Sequence, residues 1–209
     1  MKKAFIIVFA LLATVARADE RSGKALGAMS AAIRALGAYE MRFTVNAGSE
    51  MAPMEGVAVV SGNRYNISLP TGELLGDDKT AYTIDPASKT ATLTPVDPKD
   101  RSLLSNPARA FDLLDGAFTH RYAGTVKISG RECAEIELTP IDNTLPIRKL
   151  SLFVDSGTSL PVALRYAIEG LDAPVTVEIK SIKSLPQADA SKFVFDKKRY
   201  KGYEVIDLR

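Results

Sequence analysis

Apolar residues recur at two different spacings along the chain, and the change of spacing predicts a helix followed by a sheet. Between residues 22 and 39, Leu26, Met29, Ile33 and Leu36 recur every three or four positions, which indicates an amphipathic helix. From residue 41 onward the period becomes two, as in strands that bury one face. The alternating runs lie at 41–45, 65–69, 134–138, 150–154, 160–168 and 175–179.

Short turn signals separate these runs. They include Gly76-Asp77-Asp78, Ser129-Gly130 and Asp155-Ser156-Gly157, at spacings that suit hairpins and therefore predict an antiparallel meander. One helical signal interrupts the meander, because Asn106 and Pro107 are typical of a helix N-cap and a first helical position. We expect this second, short helix to end near Gly116.

The strand pattern predicts a mainly β, α+β fold with one large one-sided sheet that needs a cover. An antiparallel sheet of about ten strands curls strongly, and two amphipathic helices would lie over its concave apolar side. Cores and ligand pockets are lined by the same residue types. The pattern therefore leaves a packed core and a cavity as open alternatives.

The N-terminus has the features of a secretory signal peptide. Lys2 and Lys3 precede an apolar run, and Ala16-Arg17-Ala18 is a small-x-small cleavage sequence, which predicts cleavage between Ala18 and Asp19. The apolar run is shorter than the roughly 20 residues that span a bilayer. We therefore expect a signal peptide at 1–18, a single soluble domain at 19–209, and export to the periplasm of a Gram-negative bacterium.

Charge and composition exclude several function classes. The 209 residues include one cysteine and one histidine, too few for a disulfide scaffold, a zinc finger or a haem attachment site. The formal net charge of +2 falls to −1 when Lys2, Lys3 and Arg17 are removed with the leader. A nucleic-acid-binding surface needs a basic footprint, so no nucleic-acid partner is expected.

No motif in the sequence indicates a catalytic site. His120 is the only imidazole and is expected at the surface or as a cap, and no Gly-x-Ser-x-Gly elbow is present. Cys133 shares strand parity with Glu135 and Glu137, so we expect it on the polar face with a raised pKa. The sequence predicts a protein that is not an enzyme and has no metal and no cofactor.

The strongest charge run lies near the C-terminus, at Lys197-Lys198-Arg199-Tyr200-Lys201. This run has two interpretations, a contact with anionic lipid or an acidic partner, or an exposed turn between Phe195 and Tyr203 with no function.

The ordered set of segments across the predicted domain resembles the LolA family of periplasmic carriers, which shuttle lipoproteins to the outer membrane. The segments are an opening strand at 39–44, an Asp-Gly-Lys-Thr-like strand at 76–86, Leu138-Thr139-Pro140, and a closing Asp-x-x-x-Phe-x-Phe at 189–195. In the family's best-known members an arginine before an aromatic residue latches the lid. The corresponding stretch here contains Arg64 and Tyr65, with Tyr65 at the aromatic position.

The resemblance implies an incomplete antiparallel β-barrel with a helical lid over a hydrophobic cavity that receives acyl chains. It implies a monomeric lipoprotein carrier or chaperone that works with inner-membrane release machinery and an outer-membrane acceptor. The alternatives are an envelope-stress sensor or protein-binding adaptor on the same fold, and a structural domain with a filled core. The candidate cavity residues are Met41, Phe43, Val45, Tyr65, Ile67, Tyr82, Phe111, Leu114, Leu152 and Tyr166.

Overall fold

The computed structural model describes residues 5–48, 52–96, 111, 117–141, 147–168, 170 and 173–209, with side chains from Glu20 onward apart from Arg148 and Ile168. These ranges contain one α-helix, twelve strands and a 3-10 turn at Ala190–Phe193. The elements are α1 (Phe5–Ala35), β1 (Ala38–Asn46), β2 (Met54–Ser61), β3 (Arg64–Leu69), β4 (Gly72–Gly76), β5 (Thr80–Asp85), β6 (Thr90–Pro95), β7 (Phe118–Ile128), β8 (Arg131–Pro140), β9 (Ile147–Asp155), β10 (Pro161–Ile168), β11 (Val175–Leu185) and β12 (Glu204–Asp207).

Helix α1 contains both the predicted amphipathic helix and most of the predicted signal segment. Its apolar stripe is present, since Leu26 and Met29 are fully buried and Ile33 is nearly so. The helix ends at Ala35, earlier than the predicted Tyr39, because Gly37 adopts a left-handed φ of 67° that stops it. Among the described residues, no helix has both the length and the apolarity that a membrane crossing requires. Signal cleavage stays a prediction.

The chain divides into two compact units, each of which is described by itself. The first unit comprises residues 1–32 and 113–176, and the second comprises residues 33–112 and 177–209. A single domain over 19–209 stays a prediction.

The second unit is a sheet with the strand order β12-β6-β5-β4-β3-β2-β1-β11. The consecutive strands β1 to β6 pair antiparallel, as the hairpin signals predict. The last strand is an exception, because β12 pairs parallel to β6. Residues 96–203 separate β6 from β12 in the chain, and parallel pairing requires a connection longer than a tight turn. The chain reaches β12 from β11 through residues 186–203, which we call the C-terminal connection.

The first unit contains the antiparallel meander β10-β9-β8-β7 and the N-terminal part of α1. The β7–β8 hairpin turns at Ser129 and Gly130, whose φ values of 50° and 81° are those of a type I′ turn. This turn twists in the same sense as the strands, which explains why the Ser-Gly signal marks a hairpin here.

The predicted fold class is confirmed, since the chain is mainly β with an open, predominantly antiparallel sheet and a helix. The sequence predicts about ten strands, and the described ranges contain twelve. Most of the predicted second helix, residues 106–116, lies outside the described residues. Phe111 is described, and it is a turn residue that is only 5% exposed.

Candidate functional site

Strand pairing brings the candidate residues of β1 and β3 onto one face of the second unit's sheet. Met41 opposes Ala58, and Ala58 opposes Ile67 in turn. Residues directly opposed in antiparallel strands project to the same side. We call this side the Met41 face, and its residues on β1 to β4 are Tyr39, Met41, Phe43, Val45, Met54, Gly56, Ala58, Val60, Tyr65, Ile67, Leu69, Gly72, Leu74 and Gly76.

Two glycines fix the positions of two aromatic rings on the Met41 face. A Cβ atom built at Gly56 would overlap the ring of Phe43, and one at Gly76 would overlap the ring of Tyr65. Each glycine therefore lets an aromatic ring from the neighbouring strand lie down on the backbone. Neither glycine is among the residues predicted from the sequence, although a glycine within a strand pattern is the signal for such an approach.

The Met41 face is uncharged and partly exposed. Met41, Val45, Ile67 and Leu69 are each partly exposed, and Leu74 is 38% exposed. The charged residues of β1, β3 and β4 alternate onto the other side of the sheet, among them Glu40, Arg42 and Glu73. The ring of Tyr65 is buried, and this burial raises the pKa of its hydroxyl. The result is an apolar surface that is buried at Phe43, Ala58, Val60 and Tyr65 and partly accessible at Met41, Val45, Ile67, Leu69 and Leu74.

A second apolar face lies in the first unit and holds the candidates Leu152 and Tyr166. Leu152 opposes both Ile136 and Leu164, while Leu150 opposes both Leu138 and Tyr166. We call this side the Leu152 face. Ile136, Leu138 and Leu152 have no exposed surface, and burial raises the pKa of Tyr166, which is partly exposed.

Helix α1 lies over the Leu152 face. Ser22 Oγ and His120 Nδ1 are 2.8 Å apart and share a hydrogen bond, and the Arg21 guanidinium stands 5.8 Å from the Tyr122 ring centroid. His120 and Tyr122 belong to this face, because they oppose Leu138 and Ile136. The sequence predicts His120 at the surface or as a helix cap, and the structure corrects this prediction. Its imidazole is partly buried and ties β7 to the helix.

The structure does not bring Tyr82 to the Met41 face. Tyr82 opposes Leu75 and Leu93, which project to the other side of the same sheet. We call that side the Leu75 face. The Tyr82 hydroxyl donates to Asp77 Oδ2 at 2.8 Å, and burial, reinforced by this carboxylate, raises the pKa of Tyr82. Tyr82 lies outside the alternating runs that predict which residues share a face, so only the register shows which face it occupies.

The Leu75 face is covered by the C-terminal connection. Phe195, Tyr200 and Tyr203 pack there on a cluster that includes Leu75 and Tyr82. The Phe195 and Tyr200 rings stack with centroids 5.2 Å apart, and the Tyr200 and Tyr203 rings meet edge to face at 5.5 Å. The pattern of the sequence does not predict this cover.

Arg64 also faces the C-terminal connection. Its guanidinium lies 5.3 Å from the ring centroid of Phe193 in the 3-10 turn, a cation–π contact. Arg64 directly precedes Tyr65 in the strand, so the two side chains project to opposite sides of β3. Arg64 therefore holds the C-terminal connection, and this placement does not match a latch acting on the Met41 face.

Cys133 shares strand parity with Glu135 and Glu137 as predicted, but its polar environment was predicted wrongly. The thiol is fully buried against Phe153, Val162 and Ala163. The pKa of Cys133 is raised, chiefly by this burial and secondarily by Asp155. The face of β8 that carries Cys133 is thus polar at Glu135 and Glu137 and buried at Cys133.

The remaining candidates cannot be placed in a site. Leu114 lies outside the described residues, and Phe111 is buried. Ala18 and Asp19 lie within α1, but their side chains are not described. In the described ranges, no three His, Cys, Asp or Glu side chains are grouped as metal ligands.

Comparison with known proteins identifies the fold through structure rather than sequence. No protein-family model and no curated protein sequence matches the chain. An uncharacterised conserved protein from Thermus thermophilus is similar with a TM-score of 0.63 at 7% identity, over 88% of this chain and 98% of that one.

Two other solved structures carry names from the expected family. A domain from Vibrio parahaemolyticus, described as an outer membrane lipoprotein-sorting protein, has a TM-score of 0.50 at 10% identity, over 88% of this chain and 99% of that one. A LolA superfamily protein from Nitrosomonas europaea has a TM-score of 0.46 at 11% identity, over 84% of this chain and 98% of that one. The chain has a LolA-like fold, which confirms the resemblance at the level of the fold.

Proposed function

We propose that this protein is an exported carrier that shelters the acyl chains of lipoproteins on the Met41 face. The observation that carries the proposal is the character of that face, which is apolar across four strands, free of charged side chains, and partly exposed at Met41, Ile67 and Leu74. The fold of a lipoprotein-sorting domain supports the same class of cargo.

The energetics suit reversible transport without a covalent step. Each buried methylene contributes about 0.8 kcal/mol, so an acyl chain needs a protein shelter to cross water. Met41 and Met54 add flexible, polarizable side chains to the face, and methionines adapt to cargo of different shape. The hydroxyl of Tyr65 supplies a polar group within the apolar surface.

Leu74 provides a direct test, because it is 38% exposed on the Met41 face. A fluorescent acyl probe should bind the delipidated protein with a Kd near micromolar, about −8 kcal/mol. The variant Leu74→Glu should bind it at least about tenfold more weakly, since a carboxylate would have to be desolvated beside the chain. Probe titration measures both affinities.

The matched control is Val205→Glu, because Val205 is also 38% exposed but lies on β12. It should leave probe affinity unchanged. Equal weakening by both substitutions, or no probe binding by the folded wild type, would contradict the proposal. In that outcome the filled-core reading, or the sensor or adaptor reading, would replace it.

The cellular part of the proposal concerns cargo and compartment. We expect lipid extraction and mass spectrometry of the protein purified from the envelope fraction to yield acylated cargo. The intact mass should correspond to a chain that starts at Asp19, because Ala16 and Ala18 form the cleavage sequence. A membrane-bound form that retains residues 1–18 would contradict a diffusing carrier.

A further inference from the structure

The C-terminal connection forms a pocket on the Leu75 face of the second unit. The pocket has a volume of about 430 Å³ and lies between β4 and residues 191–200. Its apolar walls include Leu75, Phe195 and Tyr200, and its polar wall includes Lys192, Asp196 and Arg199. This volume falls within the range of small-molecule sites.

The C-terminal connection carries a net positive charge, although Asp196 lines the pocket and Arg199 pairs with Glu73. Residues 186–203 contain five basic and two acidic side chains. Both acidic groups accept backbone hydrogen bonds, Asp189 from the amide of Ser191 at 2.9 Å and Asp196 from that of Lys198 at 2.8 Å. Lys192, Lys198 and Lys201 are exposed.

Arg199 lines the pocket and is held there by two contacts. Its guanidinium donates to Glu73 Oε1 at 2.7 Å and lies 5.1 Å from the Tyr200 ring centroid. Tyr200 in turn is buried in the aromatic cluster. The basic turn at 197–201 is therefore anchored on the sheet through Arg199 and Tyr200, two residues that line the pocket.

An apolar contact surface accompanies the positive charge. Val194 lines the pocket and is 37% exposed. A basic rim around an apolar and aromatic floor complements an amphiphile with an anionic head. An acidic peptide would match the rim and leave the floor unused.

We propose that this pocket binds the phosphate headgroup of an anionic phospholipid and so docks the protein on a membrane surface. The inference goes beyond the proposed carrier function and does not depend on it. Leu75 in the pocket and Leu74 on the Met41 face are adjacent residues of β4 that project to opposite sides of the sheet. The headgroup of the membrane phospholipid and the acyl chains of the lipoprotein cargo are thus assigned to opposite faces of the second unit's sheet.

The test measures co-flotation of the protein purified from the envelope fraction with vesicles of phosphatidylethanolamine and phosphatidylglycerol, and with vesicles of phosphatidylethanolamine and phosphatidylcholine. We expect binding only to the anionic vesicles. Each lysine near an anionic surface contributes about 1 kcal/mol, or about fivefold. The triple variant Lys192→Gln, Lys198→Gln and Lys201→Gln should therefore bind about 100-fold more weakly, whereas acyl-probe affinity in solution should stay unchanged.

The control removes the same charge elsewhere, through Lys127→Gln, Lys180→Gln and Lys183→Gln at positions of β7 and β11. Circular dichroism checks that both triple variants are folded. The control should retain vesicle binding. If the control variant weakened vesicle binding by the same factor, net charge alone would explain the binding, and the proposal would be overturned.

A competition experiment separates the possible sources of phosphate. Inorganic phosphate should release the protein from anionic vesicles no more than chloride at the same ionic strength. Selective release by phosphate would identify a site for the free ion and overturn membrane docking. Lysine-dependent binding to polyglutamate without binding to vesicles would also overturn it, in favour of an acidic protein partner.

Discussion

The Leu152 face and the Met41 face are built from the same alternating pattern, yet they are buried to different extents. On the Leu152 face, Ile136, Leu138 and Leu152 have no exposed surface. On the Met41 face, Met41, Val45 and Ile67 remain partly exposed, and Leu74 is 38% exposed. Each face also has members of the other kind, since Leu164 and Tyr166 are partly exposed and Phe43, Ala58 and Val60 are buried. Alternation therefore selects which side chains share a face, and the covering segment decides which of them are buried.

The largest effect should come from truncating one leucine or isoleucine on each face. Leu152→Ala should lower the free energy of unfolding by about 3 kcal/mol, because a fully buried side chain leaves a cavity. Ile67→Ala should lower it by only about 1 kcal/mol, since Ile67 is partly exposed, and should weaken acyl-probe binding. Denaturant unfolding and probe titration measure these effects. A larger stability loss for Ile67→Ala than for Leu152→Ala would remove the distinction between the faces.

An intermediate effect should follow from filling the space at Gly56. In Gly56→Ala the new Cβ meets the Phe43 ring and Leu69, so the ring must move off the backbone. Overpacking of this kind costs about 1–3 kcal/mol. The variant should also change probe affinity, because the ring belongs to the Met41 face. Thermal and denaturant unfolding provide the stability measurement.

The control for Gly56→Ala is Gly157→Ala in the β9–β10 turn. A Cβ there comes no closer than 3.4 Å to Asp155 Oδ1, and φ at Gly157 is not left-handed. We expect a stability change within about 0.5 kcal/mol. If both glycine variants behaved alike, the close approach of Phe43 to β2 would not matter for the face.

The smallest effect tests the helical cover of the Leu152 face. Ser22→Ala removes the hydrogen bond to His120 Nδ1 and should lower the free energy of unfolding by about 1 kcal/mol. Because the contact joins α1 to β7, amide hydrogen exchange in α1 should speed up, whereas probe affinity for the Met41 face should stay the same. Faster exchange in β3 and β4 with no change in α1 would contradict the assigned contact.

The sequence predicted which residues of β1 and β3 share the Met41 face, but it did not predict every residue of that face. Alternation at 41–45 and 65–69 correctly placed Met41, Phe43 and Val45 on one face of β1, and Tyr65 and Ile67 on one face of β3. Tyr82 is also a predicted cavity residue, but it lies outside these runs and opposes Leu75 on the other side of the sheet. Gly56 and Gly76 were missed, because their importance depends on rings from neighbouring strands.

In residues 197–201 too, neighbouring residues in the sequence determine some features, and contacts with distant residues determine others. The turn predicted for residues 197–201 is present, and its charged side chains are exposed while Tyr200 is buried, because a run of charged residues is usually solvated. Its position was not predictable, since it depends on Tyr200 packing in the cluster of Leu75 and on Arg199 pairing with Glu73.

The sequence by itself determined the helical stripe of α1, the alternating strands and most hairpin turns. These features follow from backbone geometry within a few residues, where the period of 3.6 or 2 decides which side chains share a face. Only the tertiary structure decided that α1 covers the Leu152 face, that residues 186–203 cover the Leu75 face, and that the Met41 face stays partly exposed. Those outcomes depend on contacts between segments far apart in the chain, such as Ser22 with His120, 98 positions away, and Arg199 with Glu73, 126 positions away.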